Sequence, residues 1–171
     1  MSNDILSWAV CNAYNYYVTS TNTNCTCSDQ KCPTGCVATA MAQIMKYWNF
    51  PVWQPNRTEQ FDWCNMPDEL IYVDNPDYIV ERNAIARLMK DCGDAVNMAY
   101  CGAGCNSIAS DEDVPNAFTV FGYSYDATFK KRGINTTNWL NMLKNDLEAA
   151  RPVYYRGENQ NGTNADRKSV V

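Results

Sequence analysis

The residue best placed to do chemistry is Cys36, which follows a glycine at the start of a predicted helix. Unpaired backbone N–H groups and the positive end of the helix dipole stabilise a thiolate at such a position. The same groups, including the N–H of Cys36 itself, can donate to the oxyanion that forms when a thiolate attacks a carbonyl. A nucleophilic thiol also needs a base, and a structural cysteine or one half of a disulfide would fit the same pattern.

The base is the difficulty, because the chain contains no histidine. Histidine is the side chain most often used as a general base near neutral pH. Any mechanism that needs an imidazole therefore has to obtain it from outside these 171 residues.

Cysteine usage is high, with nine cysteines in the chain. They are Cys11, Cys25, Cys27, Cys32, Cys36, Cys64, Cys92, Cys101 and Cys105. Disulfides would imply an oxidising compartment. A zinc site is the alternative, although the chain has neither two CxxC pairs nor a histidine, and we predict no metal or other cofactor.

If Cys36 is the odd thiol, the other eight cysteines are enough for four disulfides. Proximity in sequence favours pairing of Cys25, Cys27 and Cys32 with Cys11 or with one another, and of Cys101 with Cys105.

A helix must hold Cys36 in place, and the clearest helical pattern in the chain runs from Cys36 to Trp48. Its apolar residues recur at helical spacing on one face. They are Val37, Ala40, Met41, Ile44, Met45 and Trp48. Pro51 marks the end of this pattern.

Three further helices are predicted. The first covers about residues 78–92, with Asp77 as its cap and Gly93 as its end. The others cover about residues 114–121 and 137–149. The apolar face of the last is formed by Trp139, Leu140, Leu143 and Leu147.

The remaining segments are predicted from their turn and strand residues. Residues 99–110 are rich in Gly, Cys and Ser and predict a loop. The acidic residues 111–113 predict a solvated turn that caps the next helix, with calcium binding as the alternative. Residues 152–155 predict entry into a strand. Helices followed by the beginning of a sheet indicate an α+β protein.

Composition excludes several classes of function. The net charge is −5 and no basic block is present, which disfavours binding to nucleic acid or to an anionic membrane. A hydrophobic fraction of 46% is enough for a packed core. No apolar run approaches the roughly 18–20 residues of a membrane helix, and residues 1–10 show no signal peptide. We expect a monomer.

Residues 32–48 read CPTGCVATAMAQIMKYW and closely resemble the active-site helix of the streptopain (C10) family of secreted bacterial cysteine peptidases. The resemblance extends in order over about residues 8–157. Its other parts are Trp8-x₅-Tyr14-Asn15, residues 83–93 with Val96, Met98 and Tyr100, Phe121-Gly122-Tyr123, and Arg151-Pro152-Val153-Tyr154-Tyr155-x-Gly157.

This resemblance implies that Cys36 is the nucleophile of a cysteine endopeptidase that acts on proteins or peptides outside the cell. It also implies a papain-like fold. Residues 1–112 would be the helical left domain, with the nucleophile helix at 36–48. Residues 113–165 would begin an incomplete, β-rich right domain.

The chain departs from the family pattern at two positions. Asn164 stands near the position of the family's general-base histidine, and asparagine cannot accept a proton there. Val10 stands where family members carry a Gln that donates to the oxyanion hole. An isolated chain of this kind would be inactive, and the alternative function is a non-catalytic papain-like protein that binds peptides or inhibitors.

Residues 166–171, DRKSVV, match the translation of a common sequencing adapter through its stop codon. They are therefore expected to be a non-native tail rather than part of the natural protein.

Overall fold

The structure is a computed structural model that describes residues 11–25, 27, 30–54, 59–72, 76–132, 135–158 and 165–170. Its helices are α1 (Cys36–Trp48), α2 (Pro76–Ala95), α3 (Val114–Val120) and α4 (Thr136–Glu148). Its strands are β1 (Ala99–Ala103), β2 (Asn106–Ile108), β3 (Val153–Glu158) and β4 (Ala165–Val170). Short 3₁₀ helices cover Asn12–Asn15, Trp63–Asn65 and Asp111–Asp113.

Helix α1 lies at the centre of the core and has the predicted bounds. Its residues from Val37 to Met45 are buried except for the half-buried Gln43, so the helix is covered on nearly all sides. The last residue of the predicted apolar face is not buried, because Trp48 is 48% exposed. The helix ends at Asn49, whose left-handed backbone conformation closes the last turn.

Helix α2 packs against α1 and is longer than the sequence predicts. The prediction that Gly93 ends the helix is wrong, since the helix continues to Ala95. Gly93 instead leaves room for Tyr100, because a Cβ atom there would overlap the Tyr100 hydroxyl group.

The predicted loop at residues 99–110 contains an antiparallel hairpin of β1 and β2. Its Gly, Cys and Ser residues have low strand propensity, which hid the strands from sequence analysis. The register is irregular between Ala99 and Ala103, where Cys101 has a positive φ of 55°. Contacts made elsewhere along the chain therefore stabilise this hairpin.

Helix α4 lies close to its predicted position, and the Asn135 side chain caps it by accepting from the Asn138 N–H at 3.0 Å. Its predicted apolar face is not buried. No residue of α4 is buried, and Leu140 is 56% exposed.

Strands β3 and β4 form a separate antiparallel pair, in register from Val153 with Val170 to Glu158 with Ala165. Strand β4 also lies against α1. It includes residues 166–170. The pairing does not test the expectation that residues 166–171 are a non-native tail. The division into a left and a right domain likewise stays a prediction.

The acidic segment at 111–113 differs from the predicted solvated turn. Asp111 is buried and accepts hydrogen bonds from the Tyr154 hydroxyl and, at 2.6 Å, from Arg156 Nη1. It therefore ties the start of α3 to strand β3. Glu112 does face solvent, where it lies 3.2 Å from the Lys131 ammonium.

The core is built from residues of α1, α2, α3 and the segments between them. Its largest fully buried side chains include Met41, Met45, Ile85, Leu88 and Met89. Among the described helices, none has the length and apolar character needed to span a bilayer.

Candidate active site

Cys36 is the first residue of α1, at the end of the helix where backbone N–H groups have no partner within the helix. Its side chain is half-buried, while the four residues before it, Cys32 to Gly35, are all buried. We call these four residues the 32–35 loop. A thiol that reaches solvent is thus attached to a rigid, buried segment.

Gly35 gives the chain its turn into α1. Its φ is +88°, a backbone conformation that residues other than glycine rarely adopt. A Cβ atom there would lie 2.8 Å from both Sδ and Cε of Met98 and 3.2 Å from the carbonyl oxygen of Ser107. The glycine therefore permits both the backbone direction and close contact with the hairpin.

The first turn of α1 is stabilised by Thr39. Its backbone N–H and its hydroxyl both donate to the Gly35 carbonyl, each at 3.1 Å. Its hydroxyl also lies 3.4 Å from that of Thr34. These contacts fix the 32–35 loop to the helix that comes after it.

The β1–β2 hairpin holds the 32–35 loop on one side. The buried Ser107 hydroxyl donates to the Pro33 carbonyl at 2.6 Å and accepts from the Cys101 N–H at 3.2 Å. A disulfide joins Cys32 to Cys101. Two adjacent residues of the loop are thus attached to the hairpin, one by a covalent bond and one by a hydrogen bond.

Residues near the beginning of the described chain hold the other side of the loop. The Asn15 side chain is fully buried, and its Nδ2 donates to the Cys32 carbonyl at 3.3 Å. The Cys32 N–H donates to the Ser20 carbonyl at 2.8 Å. The backbone of Cys32 is therefore hydrogen-bonded through both of its polar groups.

The disulfide pattern corrects three expectations. Three disulfides form, Cys11–Cys27, Cys25–Cys105 and Cys32–Cys101, rather than four. Cys101 does not pair with Cys105. Cys25 and Cys32 pair with these two hairpin cysteines, so Cys11–Cys27 is the one pairing of the N-terminal cysteines that is confirmed. Cys36 stays a thiol as expected, but Cys64 and Cys92 do so too.

The three thiols differ in environment. Cys64 is exposed, whereas Cys92 is fully buried with its Sγ 3.5 Å from Sδ of Met45. Burial raises the pKa of the Cys92 thiol well above its usual range, and nearby Asp91 adds to this effect. Cys92 is thus an inert core residue.

Two of the disulfides touch each other, since Sγ of Cys25 lies 3.4 Å from Sγ of Cys101. Together with Cys32, these sulfurs form a cluster within 4.8 Å that resembles a metal site in its spacing. Each of these sulfurs is bonded to another sulfur, however, and zinc is held by thiolates. The cluster is therefore explained by the disulfides.

Of the three residues predicted for the site, the structure describes Cys36. Val10 and Asn164 lie outside the described residues. Sequence analysis missed Ser107, which stands in the segment predicted as a loop, and no sequence signal distinguished it from its polar neighbours. Asn15 was noted only as part of the pattern that begins at Trp8.

Sequence comparison finds bacterial relatives of this chain. Streptopain from Streptococcus pyogenes serotype M1 is 30% identical over 160 residues, a match covering 80% of this chain and 39% of streptopain. The thiol protease/hemagglutinin PrtT of Porphyromonas gingivalis is 28% identical over 151 residues, covering 76% of this chain and 17% of PrtT. The chain thus spans well under half the length of these relatives.

The fold agrees with that of a solved cysteine protease. The active wild-type interpain A of Prevotella intermedia superposes with a TM-score of 0.73 at 25% identity, covering 95% of this chain and 71% of that one. The expectation of a papain-like α+β fold is confirmed. A sequence model of the Peptidase C10 family matches residues 8–167. The chain therefore belongs to the Peptidase C10 family.

Proposed function

We propose that this chain carries the nucleophile of a cysteine endopeptidase, and that the nucleophile is Cys36. The observation that supports this most is the position of its half-buried thiol, at the first residue of a buried helix and after a buried loop. The first backbone N–H groups of this helix have no partner within the helix. The backbone N–H of Cys36 is the donor that we propose for the oxyanion.

In the proposed reaction, the Cys36 thiolate attacks the carbonyl carbon of a peptide bond and forms a C–S bond. The C–N bond then breaks, and the leaving amine takes the proton that the thiol had given to the base. Water hydrolyses the resulting thioester, which releases the acid and restores the thiol. This chemistry calls for peptide or protein substrates.

The base must come from elsewhere, because these 171 residues contain no histidine. We propose that the protein of which this chain is part supplies it, on a strand that begins near Asn164. Strand β3, which precedes Asn164, lies against α1, so a strand that follows and pairs with it would be close to the helix that carries Cys36. The 171-residue chain by itself would then be inactive.

Secretion and a monomeric state belong to the same proposal. Three disulfides are typical of a protein that works in an oxidising environment. This agrees with the extracellular location that the family resemblance implies.

The second candidate function is a non-catalytic protein that binds peptides or inhibitors in a papain-like cleft. The absence of histidine from the sequence favours it, as does Val10 at the position of an oxyanion donor. The codons after that of Asn164, read from independently sequenced DNA, distinguish the two candidates. A Gly-His-Ala-like strand would favour the peptidase, and a genuine stop codon would favour the binding protein.

The proposal is tested by casein cleavage with the whole protein under mild thiol activation. Cys36→Ala should abolish cleavage, whereas Cys64→Ala, which removes an exposed thiol, should leave it unchanged. The 171-residue chain should cleave nothing, since general-base catalysis contributes roughly 10²–10⁴-fold. Cleavage that survives Cys36→Ala would contradict the proposal.

A further inference from the structure

We infer that the β1–β2 hairpin positions Cys36, and that Ser107 and the Cys32–Cys101 disulfide are its positioning residues. The inference rests on the proposed role of Cys36 as nucleophile. Neither Ser107 nor the disulfide touches the reacting atoms in this view. They act through the 32–35 loop, which carries the N-terminus of α1.

The geometry supports this because both strands of the hairpin hold the loop. Cys101 of β1 is bonded to Cys32, and Ser107 of β2 donates to the Pro33 carbonyl at 2.6 Å. The Ser107 hydroxyl also accepts from the Cys101 N–H at 3.2 Å, so the two attachment points are linked to each other. They act on the loop as a single unit.

The position of the loop matters because it sets the direction of the first turn of α1. The stabilising effect of the helix dipole falls off within that turn. Gly35 also lies close to the hairpin, because a Cβ atom on it would lie 3.2 Å from the Ser107 carbonyl oxygen and would displace the end of the Met98 side chain. Loss of either attachment would let the 32–35 loop shift and would change the orientation of the first turn of α1, which carries the Cys36 thiol.

The chain contains a matched control for the disulfide. Cys25–Cys105 also joins the hairpin to the N-terminal segment, but it is attached at residue 25 rather than in the 32–35 loop. It closes a loop of 80 residues, compared with 69 for Cys32–Cys101, so the two disulfides restrict the unfolded chain to a similar extent.

The three thiols provide the measurement. Cys36 reports on the site, exposed Cys64 reports on ordinary reactivity, and buried Cys92 reports on unfolding. The whole protein is treated with iodoacetamide without reductant, and the alkylation rate of each cysteine is followed by mass spectrometry. Dividing the Cys36 alkylation rate by the Cys64 alkylation rate corrects for differences in reagent concentration and pH between samples.

We expect Ser107→Ala, and the double variant Cys32→Ala with Cys101→Ala, each to lower this ratio by about threefold or more. Cys92 should stay protected in both. The double variant Cys25→Ala with Cys105→Ala should leave the ratio unchanged. Ser107→Thr keeps the hydroxyl and should restore the ratio, whereas failure to restore it would remove Ser107 as a positioning residue.

A ratio that stays within about 1.5-fold in both test variants would overturn the inference, since the dipole effect is expected to exceed it. So would an equal loss in the Cys25 and Cys105 control, or a loss accompanied by labelling of Cys92. The result is independent of the proposed function, because alkylation needs no turnover. If Cys36→Ala abolishes casein cleavage while the ratio stays constant, the function stands and the positioning role fails.

Discussion

Gly35 combines two requirements, a left-handed backbone and a close steric contact, at the residue before the candidate nucleophile. Gly35→Ala should destabilise the protein by more than the roughly 1–3 kcal/mol that a strained φ costs by itself. The new methyl group would also have to displace Met98, whose atoms lie 2.8 Å from the Cβ position. Urea denaturation followed by circular dichroism measures the change.

Gly104 is the matched control for this substitution. It also has a positive φ, +65°, but nothing lies within 4 Å of a Cβ atom built on it. Gly104→Ala should therefore cost only the backbone strain, about 1–2 kcal/mol. If Gly35→Ala and Gly104→Ala lose the same stability, the contact with Met98 does not contribute to the cost of Gly35→Ala.

The residue at position 10 should limit the rate of a catalytically complete protein. Val10→Gln would add an oxyanion donor, and such a donor contributes about 10²–10³ in kcat. KM should change little, because the interaction forms only in the transition state. Steady-state kinetics on a peptide substrate, with Val10→Leu as the control, measure both constants. An unchanged kcat would mean that another group is the donor.

At the scale of the elements, Asp111 joins the segment before α3 to strand β3 through Tyr154 and Arg156. Asp111→Asn should destabilise the protein by about 1–3 kcal/mol, since it removes the charge from buried hydrogen bonds. We expect less than for a fully buried ion pair, because the Arg156 side chain is 35% exposed and can regain water. Thermal unfolding measures the loss.

Glu112→Gln is the control for Asp111→Asn. It breaks an ion pair with Lys131 in which the two side chains are 65% and 77% exposed. Exposed pairs contribute about 0–1 kcal/mol. A loss for Asp111→Asn no larger than that for Glu112→Gln would contradict the anchoring role.

The elements also show what sequence analysis can and cannot predict. Helix α1 was predictable to the residue because its apolar spacing, the preceding Gly35 and the following Pro51 all agree. The hairpin was not, because its strands depend on disulfides and on Ser107 rather than on their own propensity. Sequence pattern therefore predicts an element such as α1, whose own residues favour it, but not one such as the hairpin, which is stabilised by residues far away in the sequence.

Of the candidate site, the sequence predicted the position of Cys36 at the start of a helix. Cys36 stands out by its position after a glycine, and its placement at the N-terminus of α1 agrees with that pattern. Gly93 and Asp111 were misinterpreted, since their roles are set by contacts outside their own elements: Tyr100 for Gly93, and Tyr154 and Arg156 for Asp111. Such partners become neighbours only in the folded chain.

Across the whole molecule, stabilising contacts are concentrated in the first two thirds of the sequence. All three disulfides join residues between Cys11 and Cys105. The buried core cluster extends from Tyr14 to Phe121, and the partly buried Tyr123 and Tyr154 pack against it. The C-terminal third is tied to the core through Asp111 and through a hydrogen bond from the Tyr47 hydroxyl to the Ala150 carbonyl.

This distribution predicts two levels of protection from hydrogen exchange. Amides of α1 and of residues 85–93 of α2 should exchange only through global unfolding, because these segments form the core. Amides of α4 should exchange much faster, through local opening, because that helix buries none of its residues. Hydrogen exchange followed by mass spectrometry at several urea concentrations would separate the two, since global opening depends on urea far more steeply. Equal protection and equal urea dependence in α1 and α4 would show that the chain unfolds as one cooperative unit.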